Sequence, residues 1–172
     1  MALSVNDNFP DVTFKYIPYT PETADITACG IPINLKPLEE FKGKKFVIVA
    51  VPGAFTPTCS ANHLPPYVQE AQKFQAKGVE RIIFISANDP FVLSAWGKAN
   101  GVTNDFIIFA SDPNAEFSKS IGFSVDLTNR GLGVRTARYA IVVDENGKVA
   151  YIEKEPGTDV SVSGADAVLA KL

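Results

Sequence analysis

The run of residues 45–51, KFVIVAV, constrains the fold more than any other segment of the chain. After its lysine, apolar and β-branched residues follow one another without a polar interruption, as expected for a strand that is buried on both faces of a sheet. From this run onward, strand patterns alternate with helix patterns along the sequence. Such alternation predicts an α/β protein.

Caps, turn residues and apolar runs predict the elements that follow this strand. Strands are expected at residues 81–86, 106–109, 138–143 and 148–152, and a hairpin turn at 144–147 joins the last two. Four helices are expected. The first covers residues 56–77, could kink at Pro65-Pro66 and stops at Gly78. The others run from Asp89-Pro90 to near Gly101, from Asp112-Pro113 to Gly122, and from a Ser163 cap to Leu172. Prolines limit the first 40 residues to short strands and turns.

This order of elements resembles the thioredoxin fold with an insertion. The resemblance implies an α/β, thioredoxin-like sandwich in which helices flank a central mixed β-sheet, preceded by an N-terminal extension. A length of 172 residues is near that of one domain, and no linker, repeat or low-complexity tract divides the chain. We therefore expect a single domain over residues 1–172.

Composition excludes several classes of function. Hydrophobic residues make up 46% of the chain, which is enough for a core without disulfide support. The longest apolar stretch is far shorter than the roughly 18–20 residues that span a bilayer, and the N-terminus lacks the pattern of a secretory signal. Lys and Arg number 16 against 19 acidic residues, so no cationic surface for nucleic acid is expected. We expect a soluble, intracellular protein with no membrane span and no nucleic-acid partner.

The chain has two cysteines, Cys29 and Cys59, and one histidine, His63. This set is too small for a structural zinc site, so no metal and no other cofactor is predicted. Cysteines that lie this far apart in a reducing compartment rarely form a structural disulfide. Two inert core thiols and a reactive pair remain the alternatives.

Cys59 follows the buried strand at the point where a helix is expected to begin. Ligands gather at the carboxyl ends of strands in open α/β sheets. Thr56 is predicted as the N-cap and Pro57 as the first helical residue, which places Cys59 in the first turn. Free backbone N–H groups and the helix dipole favour a thiolate there. The alternative is a small buried cysteine that fills the junction between strand and helix.

A thiolate at neutral pH needs more than a helix terminus. Lowering the pKa of a thiol from about 8.5 to about 6 requires roughly 3.4 kcal/mol. A helix terminus supplies about 0.3–1 kcal/mol and, at best, about 2 kcal/mol. A guanidinium at about 4 Å can supply the remainder, so an arginine partner is predicted.

The motif Pro52-x-x-x-Thr56-x-x-Cys59 resembles the active-site motif of peroxiredoxins. The longer string PGAFTPTCS, followed by HLP, is similar to the type-5 branch, and the likeness runs from about Phe9 to the C-terminus. The resemblance implies a thiol peroxidase that reduces hydrogen peroxide and alkyl hydroperoxides. It also implies that Cys59 attacks the peroxide, that Thr56 hydrogen-bonds peroxide and thiolate, and that Pro52 shields the sulfur from water.

Arg138 matches the active-site arginine of that family and supplies the predicted cation. Arg130 and Arg135 are expected to be solvated loop charges, with Arg135 as the next candidate if Arg138 proves remote. His63 follows Cys59 by four residues on the same helix face, and a structural hydrogen bond is favoured, because no motif supplies the machinery of a Cys–His hydrolase.

Two aromatic residues match family positions near a dimer interface and a pocket wall. These are Phe91 and Trp96, for which core packing is the equal alternative.

Cys29 is the candidate that resolves the oxidised sulfur. Animal type-5 members carry their second cysteine near the C-terminus, where this chain has none at residues 155–163. Cys29 instead resembles the early resolving cysteine of fungal alkyl hydroperoxide reductases. That resemblance implies a disulfide between the subunits of a homodimer, with thioredoxin as the reductant. An inert Cys29, with glutathione or a glutaredoxin as resolving thiol, remains the alternative.

Two other functions compete with a peroxidase. A thiol–disulfide oxidoreductase is disfavoured because the chain has no Cys-x-x-Cys motif, and a non-enzymatic redox sensor or chaperone remains open. The C-terminal Ala170-Lys171-Leu172 is close to the Ser-Lys-Leu peroxisomal signal, although a final helical turn would explain it equally well. A cytoplasmic location, a peroxisomal one, or both are expected.

Overall fold

A seven-stranded mixed sheet organises the chain, and the computed structural model describes it over residues 2–172. The strands are β1 (Phe14–Tyr16), β2 (Ile33–Leu35), β3 (Lys45–Ala50), β4 (Val79–Ser86), β5 (Ile107–Ser111), β8 (Tyr139–Val143) and β9 (Val149–Lys154). Their order in the sheet is β2-β1-β5-β4-β3-β8-β9. The central strands β3, β4 and β5 are parallel, whereas β1, β8 and β9 join antiparallel to their neighbours.

Over the described part of the chain, six short α-helices connect or flank these strands. They are α1 (Pro37–Glu40), α2 (Leu64–Gln69), α3 (Ala71–Ala76), α4 (Pro90–Ala99), α5 (Glu116–Ser120) and α6 (Ala165–Leu169). Asp89 caps α4 as predicted, since its carboxylate accepts a hydrogen bond from the N–H of Val92 at 2.9 Å. Within the described residues, no helix has the length and apolar character that a membrane crossing requires.

Alternate residues of β3 face two separate apolar cores, as the uninterrupted run of residues 45–51 predicts. Val47 and Val49 pack with side chains of α2, α3, α4 and α6 on one face. Phe46 and Ile48 pack on the other face with α5 and the N-terminal segment. The predicted class, a mixed sheet flanked by helices in a thioredoxin-like arrangement, is confirmed.

The prediction of one regular helix over residues 56–77 is wrong. The helix begins at Pro57 as expected, but a π-helix follows at Cys59–His63, and a break at Glu70 separates α2 from α3. Pro65 and Pro66 have no N–H group, so they cannot donate the usual helical hydrogen bonds to the carbonyls four residues earlier. The N–H of Leu64 instead bonds to the carbonyl of Cys59, five residues back, so the turn widens ahead of the prolines.

A two-stranded antiparallel sheet, β6 (Ser124–Leu127) with β7 (Gly133–Thr136), was not predicted. Both strands are short, largely half-exposed and without a strong apolar pattern. The pair nevertheless reaches the central sheet, because the Thr136 hydroxyl donates to the carbonyl of Val51 at 2.7 Å. It thereby lies beside the end of β3.

Two predicted helix starts are also corrected. Ser163 does not cap the last helix: the N-cap is Gly164, the helix ends at Leu169, and the Ser163 hydroxyl donates to Glu155. After Asp112 the chain forms a 3-10 turn, Pro113–Ala115, before α5 begins. The Asp112 carboxylate still accepts hydrogen bonds from N–H groups of the first turn of α5.

Candidate active site

Cys59 lies where the turn after β3 enters the π-helix, and its side chain is fully buried. The preceding turn is held from neighbouring elements. The backbone N–H of Ala54 donates to the Asn88 side chain, just beyond the end of β4, at 2.9 Å. Phe55 adopts a left-handed backbone conformation, with φ of 59°, and its ring is exposed. The sulfur therefore lies behind a braced turn at the carboxyl end of the central strands, as predicted.

Arg138 reaches this sulfur from the position immediately before the adjacent strand, β8. Its Nη2 group donates to Cys59 Sγ at 3.4 Å, and the side chain is only 9% exposed. The register explains the meeting, because Tyr139 at the start of β8 pairs with Ala50 at the end of β3. A residue immediately before β8 is thus delivered to the carboxyl end of β3. The predicted arginine partner is the one that contacts the thiol.

His63 contacts the other branch of the same guanidinium. Arg138 Nη1 donates to His63 Nδ1 at 2.9 Å, and His63 Nε2 lies 2.9 Å from the carbonyl oxygen of Ser163. Because a carbonyl can only accept, Nε2 carries the hydrogen and Nδ1 is the acceptor. The ring is fully buried and lies in this single neutral tautomer. The predicted structural hydrogen bond is present, and it connects directly to Arg138.

Burial lowers the pKa of His63 to about 4, and the charge of Arg138 acts in the same direction. The hydrogen bond to the Ser163 carbonyl opposes both effects without overcoming them. The imidazole is therefore neutral at physiological pH.

This shift makes the folded protein sensitive to acid. Histidine in the unfolded chain titrates near pH 6.5, whereas His63 in the folded protein titrates near pH 4. As the pH falls below about 6.5, the unfolded state binds a proton that the folded state does not, so the free energy of unfolding decreases until about pH 4. We expect a loss of at most about 3 kcal/mol across this window, measured by urea unfolding followed by circular dichroism.

A His63→Asn variant is the control for this measurement, because the chain has no other histidine. Its unfolding free energy should fall less between pH 6.5 and 4, and equal slopes in the two proteins would contradict the assignment.

Glu155 affects stability at lower pH than His63 does. Burial raises its pKa, but hydrogen bonds from Ser161 and Ser163 outweigh that effect and hold it at about 2, so its contribution to stability is lost only below about pH 4.5.

Thr56 is at the N-cap position, as predicted, since the helix begins at Pro57, but its hydroxyl does not cap the helix. Its hydroxyl donates to the carbonyl of Gly53 at 2.7 Å and does not bond to a helix N–H, while its own carbonyl accepts from the N–H of Ser60 at 3.0 Å. Since the hydroxyl hydrogen is committed to Gly53, the oxygen lone pairs are left to accept a hydrogen from a ligand.

The prediction that Arg135 is a solvated loop charge is wrong. Its Nε donates to the carbonyl of Leu132 at 2.7 Å, and its Nη1 donates to the carbonyl of Pro52 at 3.2 Å. The side chain thus braces the turn on which Pro52 lies. Sequence reasoning missed this role because β7, which carries Arg135, was itself not predicted. Arg130 is exposed, as expected.

Asn88 also holds this turn, and sequence reasoning assigned it no role in the site. Its amide oxygen accepts from Ala54 N–H and from the Ser86 hydroxyl at 2.7 Å, and it also lies 3.5 Å from Arg135 Nη1. The available signal was its place immediately beyond a buried parallel strand, where polar side chains face the same edge of the sheet as Cys59.

Cys29 is exposed and lies in the irregular segment between Pro21–Thr23 and β2. Both cysteines are free thiols, so the structure does not join Cys29 to the buried Cys59. Lys98 of α4 holds the segment in place, because its ammonium donates to the carbonyls of Asp25 and Ala28 at 3.2 and 2.9 Å.

The two aromatic residues have different surroundings. Trp96 is fully buried, packs against Phe84 and Phe109, and donates from its indole N–H to the Ser60 hydroxyl at 3.0 Å. Core packing therefore describes Trp96. Phe91 is 49% exposed, so core packing is wrong for that residue.

Comparison with known proteins decides the family. A Redoxin family model matches residues 4–169. A Lipomyces kononenkoae protein whose name describes a peroxisomal peroxiredoxin is 60% identical over 98% of this chain and its own full length. Peroxiredoxin Pen c 3 of Penicillium citrinum is 51% identical over the whole of both chains. The chain belongs to the peroxiredoxin family.

A solved peroxiredoxin has the same fold. Reduced Prx3 from Vibrio vulnificus, crystallised in complex with H₂O₂, superposes with a TM-score of 0.83 at 38% identity and covers 98% of each chain. The predicted resemblance to peroxiredoxins, and to fungal ones in particular, is confirmed. As a peroxiredoxin, the protein is a thiol peroxidase, an antioxidant oxidoreductase that acts on hydroperoxides. Among residues 2–172, no three acidic, cysteine or histidine side chains converge to hold a metal ion.

Proposed function

We propose that this peroxiredoxin reduces hydrogen peroxide and alkyl hydroperoxides through Cys59, which Cys29 resolves and a thioredoxin recycles. The observation that carries the proposal is the 3.4 Å contact between Arg138 Nη2 and Cys59 Sγ. A guanidinium at this distance stabilises the thiolate over the thiol, and it lies where negative charge moves during attack on an O–O bond.

In the first step, the Cys59 thiolate attacks one oxygen of the hydroperoxide. A sulfur–oxygen bond forms, the O–O bond breaks, and the leaving oxygen takes a proton to become water or an alcohol. Cys59 becomes a sulfenic acid. Arg138 faces the charge that passes from sulfur to the leaving oxygen, and hydrogen-bond donors placed in this way typically contribute about 10²–10³ in rate.

Thr56 and Pro52 prepare the site for this attack. The Thr56 hydroxyl, which donates to Gly53, accepts the hydrogen of the incoming peroxide and so orients its O–O bond. Pro52 has no N–H and lies on the turn that Arg135 braces, so it shields the sulfur from water without introducing a donor. Exclusion of water strengthens the electrostatic contact between Arg138 and the sulfur.

In the second step, the Cys29 thiol attacks the sulfenic sulfur, which releases water and leaves a disulfide. Cys29 suits this role because it is exposed in a segment without regular structure. The buried Cys59 must leave its pocket, since a disulfide needs Cα atoms within about 7 Å. We place the bridge between the two subunits of a homodimer, from which a thioredoxin dithiol restores both thiols.

A Cys29→Ser variant tests this cycle. In a coupled assay with thioredoxin, thioredoxin reductase and NADPH, we expect the variant to turn over hydroperoxide at least about tenfold more slowly, because its sulfenic acid has no partner thiol. After one equivalent of peroxide, the parent should run as a dimer on non-reducing electrophoresis, and the variant as a monomer.

The assay also separates the alternatives. A parent that stays monomeric with no internal disulfide would exclude a resolving role for Cys29. Turnover of Cys29→Ser with glutathione and glutaredoxin, at the rate of the parent, would identify a one-cysteine peroxidase. No steady-state turnover with either reducing system, together with transfer of the oxidation to a partner protein, would indicate a redox sensor.

We also propose a peroxisomal fraction of the protein, alongside a cytoplasmic one. The proposal is supported by the C-terminal Ala170-Lys171-Leu172 and by the name of the Lipomyces kononenkoae relative. Ala170 and Lys171 are exposed. A fluorescent protein fused to the N-terminus should co-localise with a peroxisomal marker, and deletion of Leu172 should disperse it. An unchanged distribution after the deletion would contradict the proposal.

A further inference from the structure

The guanidinium of Arg138 is shared between two buried groups. Nη2 donates to Cys59 Sγ and Nη1 donates to His63 Nδ1. We propose that His63 is a positioning residue that holds Arg138 against Cys59, an inference that rests on the proposed peroxidatic role of Cys59.

The orientation of His63 is fixed from its opposite side. Nε2 donates to the Ser163 carbonyl, so the lone pair of Nδ1 must point toward Arg138. Ser163 is held in turn, because its N–H and hydroxyl donate to Glu155 at 2.8 and 2.7 Å. A continuous series of hydrogen bonds therefore runs from Glu155 through Ser163 and His63 to the arginine.

The backbone reinforces this series at its two ends. The N–H of Glu155 donates to the carbonyl of Arg138 at 2.9 Å, so the loop that orients the imidazole is also attached to the main chain of the arginine. The main chain of Arg138 is thus held beside β8 and β9, and the Nη1 end of its side chain is held by His63. Because both ends are fixed, few other rotamers are open to the side chain, which favours retention of the 3.4 Å contact with Cys59.

A neutral acceptor suits this position better than a charged one. A carboxylate would also orient the arginine, but it would neutralise the charge that the sulfur needs. Burial of His63 keeps the imidazole uncharged, so it accepts from Nη1 and leaves the positive charge of Arg138 directed at Cys59. His63 therefore positions Arg138 without reducing the positive charge that faces Cys59.

The test measures oxidation of Cys59 by hydrogen peroxide in stopped flow. Trp96 is the only tryptophan and hydrogen-bonds to Ser60, next to Cys59, so its fluorescence reports the reaction. We expect His63→Leu, which removes the acceptor, to react about 10–100-fold more slowly than the parent. His63→Asn, whose Oδ1 takes the place of Nδ1, should react within about threefold of the parent.

Tyr67→Phe is the matched control. The Tyr67 hydroxyl donates to the same Ser163 carbonyl as His63, at 2.6 Å, but does not contact Arg138. Its loss should lower stability to urea, as a buried hydrogen bond does, and leave the rate of Cys59 oxidation at the parental value. A rate effect equal to that of His63→Leu would show that the carbonyl contact, and not Arg138, is what matters.

Two further outcomes would overturn the inference: parental rates in His63→Leu, or equally slow rates in His63→Asn and His63→Leu. If His63→Leu does not fold, His63→Gln replaces it. The amide nitrogen of the glutamine reaches the position of Nε2, but the amide oxygen cannot reach the position of Nδ1. The inference then requires His63→Gln to react more slowly than His63→Asn. A parent that shows no oxidation of Cys59 would refute the proposed function instead.

Discussion

A Cys59→Ser variant is expected to consume hydroperoxide more than about a thousandfold more slowly than the parent. A serine hydroxyl remains protonated at neutral pH even beside Arg138, and oxygen does not form the sulfenic acid that the cycle needs. The substitution is nearly isosteric in a fully buried position, so the fold should persist. The measurement is steady-state hydroperoxide consumption with the thioredoxin system, with circular dichroism to verify folding.

Cys29→Ser provides the comparison for this result, since it is the only other cysteine substitution that the chain offers. With one equivalent of peroxide, Cys29→Ser should still form a sulfenic acid that a dimedone probe captures, and Cys59→Ser should not. Peroxide consumption by Cys59→Ser at the parental rate would remove the basis of the proposed mechanism.

Replacement of Arg138 should have the second largest effect. We expect Arg138→Met to lower kcat/KM for hydrogen peroxide by about 10²–10³, because the thiolate and the leaving oxygen both lose their cationic neighbour. Arg138→Lys should lose about 10–100-fold, since an ammonium keeps the charge but cannot donate to Cys59 and His63 from the two arms of a planar fork. Single-turnover oxidation followed by Trp96 fluorescence measures both variants.

Arg130→Met is the control for a general effect of charge, because Arg130 is exposed and lies in the same part of the sequence. It should react at the parental rate. If Arg130→Met and Arg138→Met slowed the reaction equally, long-range attraction would replace the local contact as the explanation. Arg138→Met also leaves His63 Nδ1 without its donor, which should cost about 1–3 kcal/mol in urea unfolding.

The parts of the site that the sequence predicts are those set by local rules. The buried run at residues 45–51 and the Thr56-Pro57 helix start together place Cys59 in a first turn at the carboxyl end of a strand. Arg138 was identified only by its match to the active-site arginine of peroxiredoxins. The structure gives the physical reason for that match, because the place of Arg138 before β8 puts it opposite the end of β3.

The parts that could not be predicted depend on contacts between distant segments. Arg135 braces Pro52 from a strand pair with no strong apolar pattern. Ser163 resembles a helix cap in sequence, yet its hydroxyl bonds to Glu155, and its carbonyl accepts from His63 across 100 residues. Hydrogen-bonding side chains of this kind have several local partners available, and only the tertiary fold selects among them.

The π-helix fixes Cys59 and His63 at the two ends of one five-residue segment. If that segment unwinds so that the sulfur can meet a second thiol, the imidazole leaves Arg138 in the same motion. An oxidised protomer would then hold no assembled pocket until a reductant releases the sulfur and the segment rewinds. Each chain would then accept one peroxide per reductive event, because the pocket that binds the next peroxide exists only after the sulfur has been released.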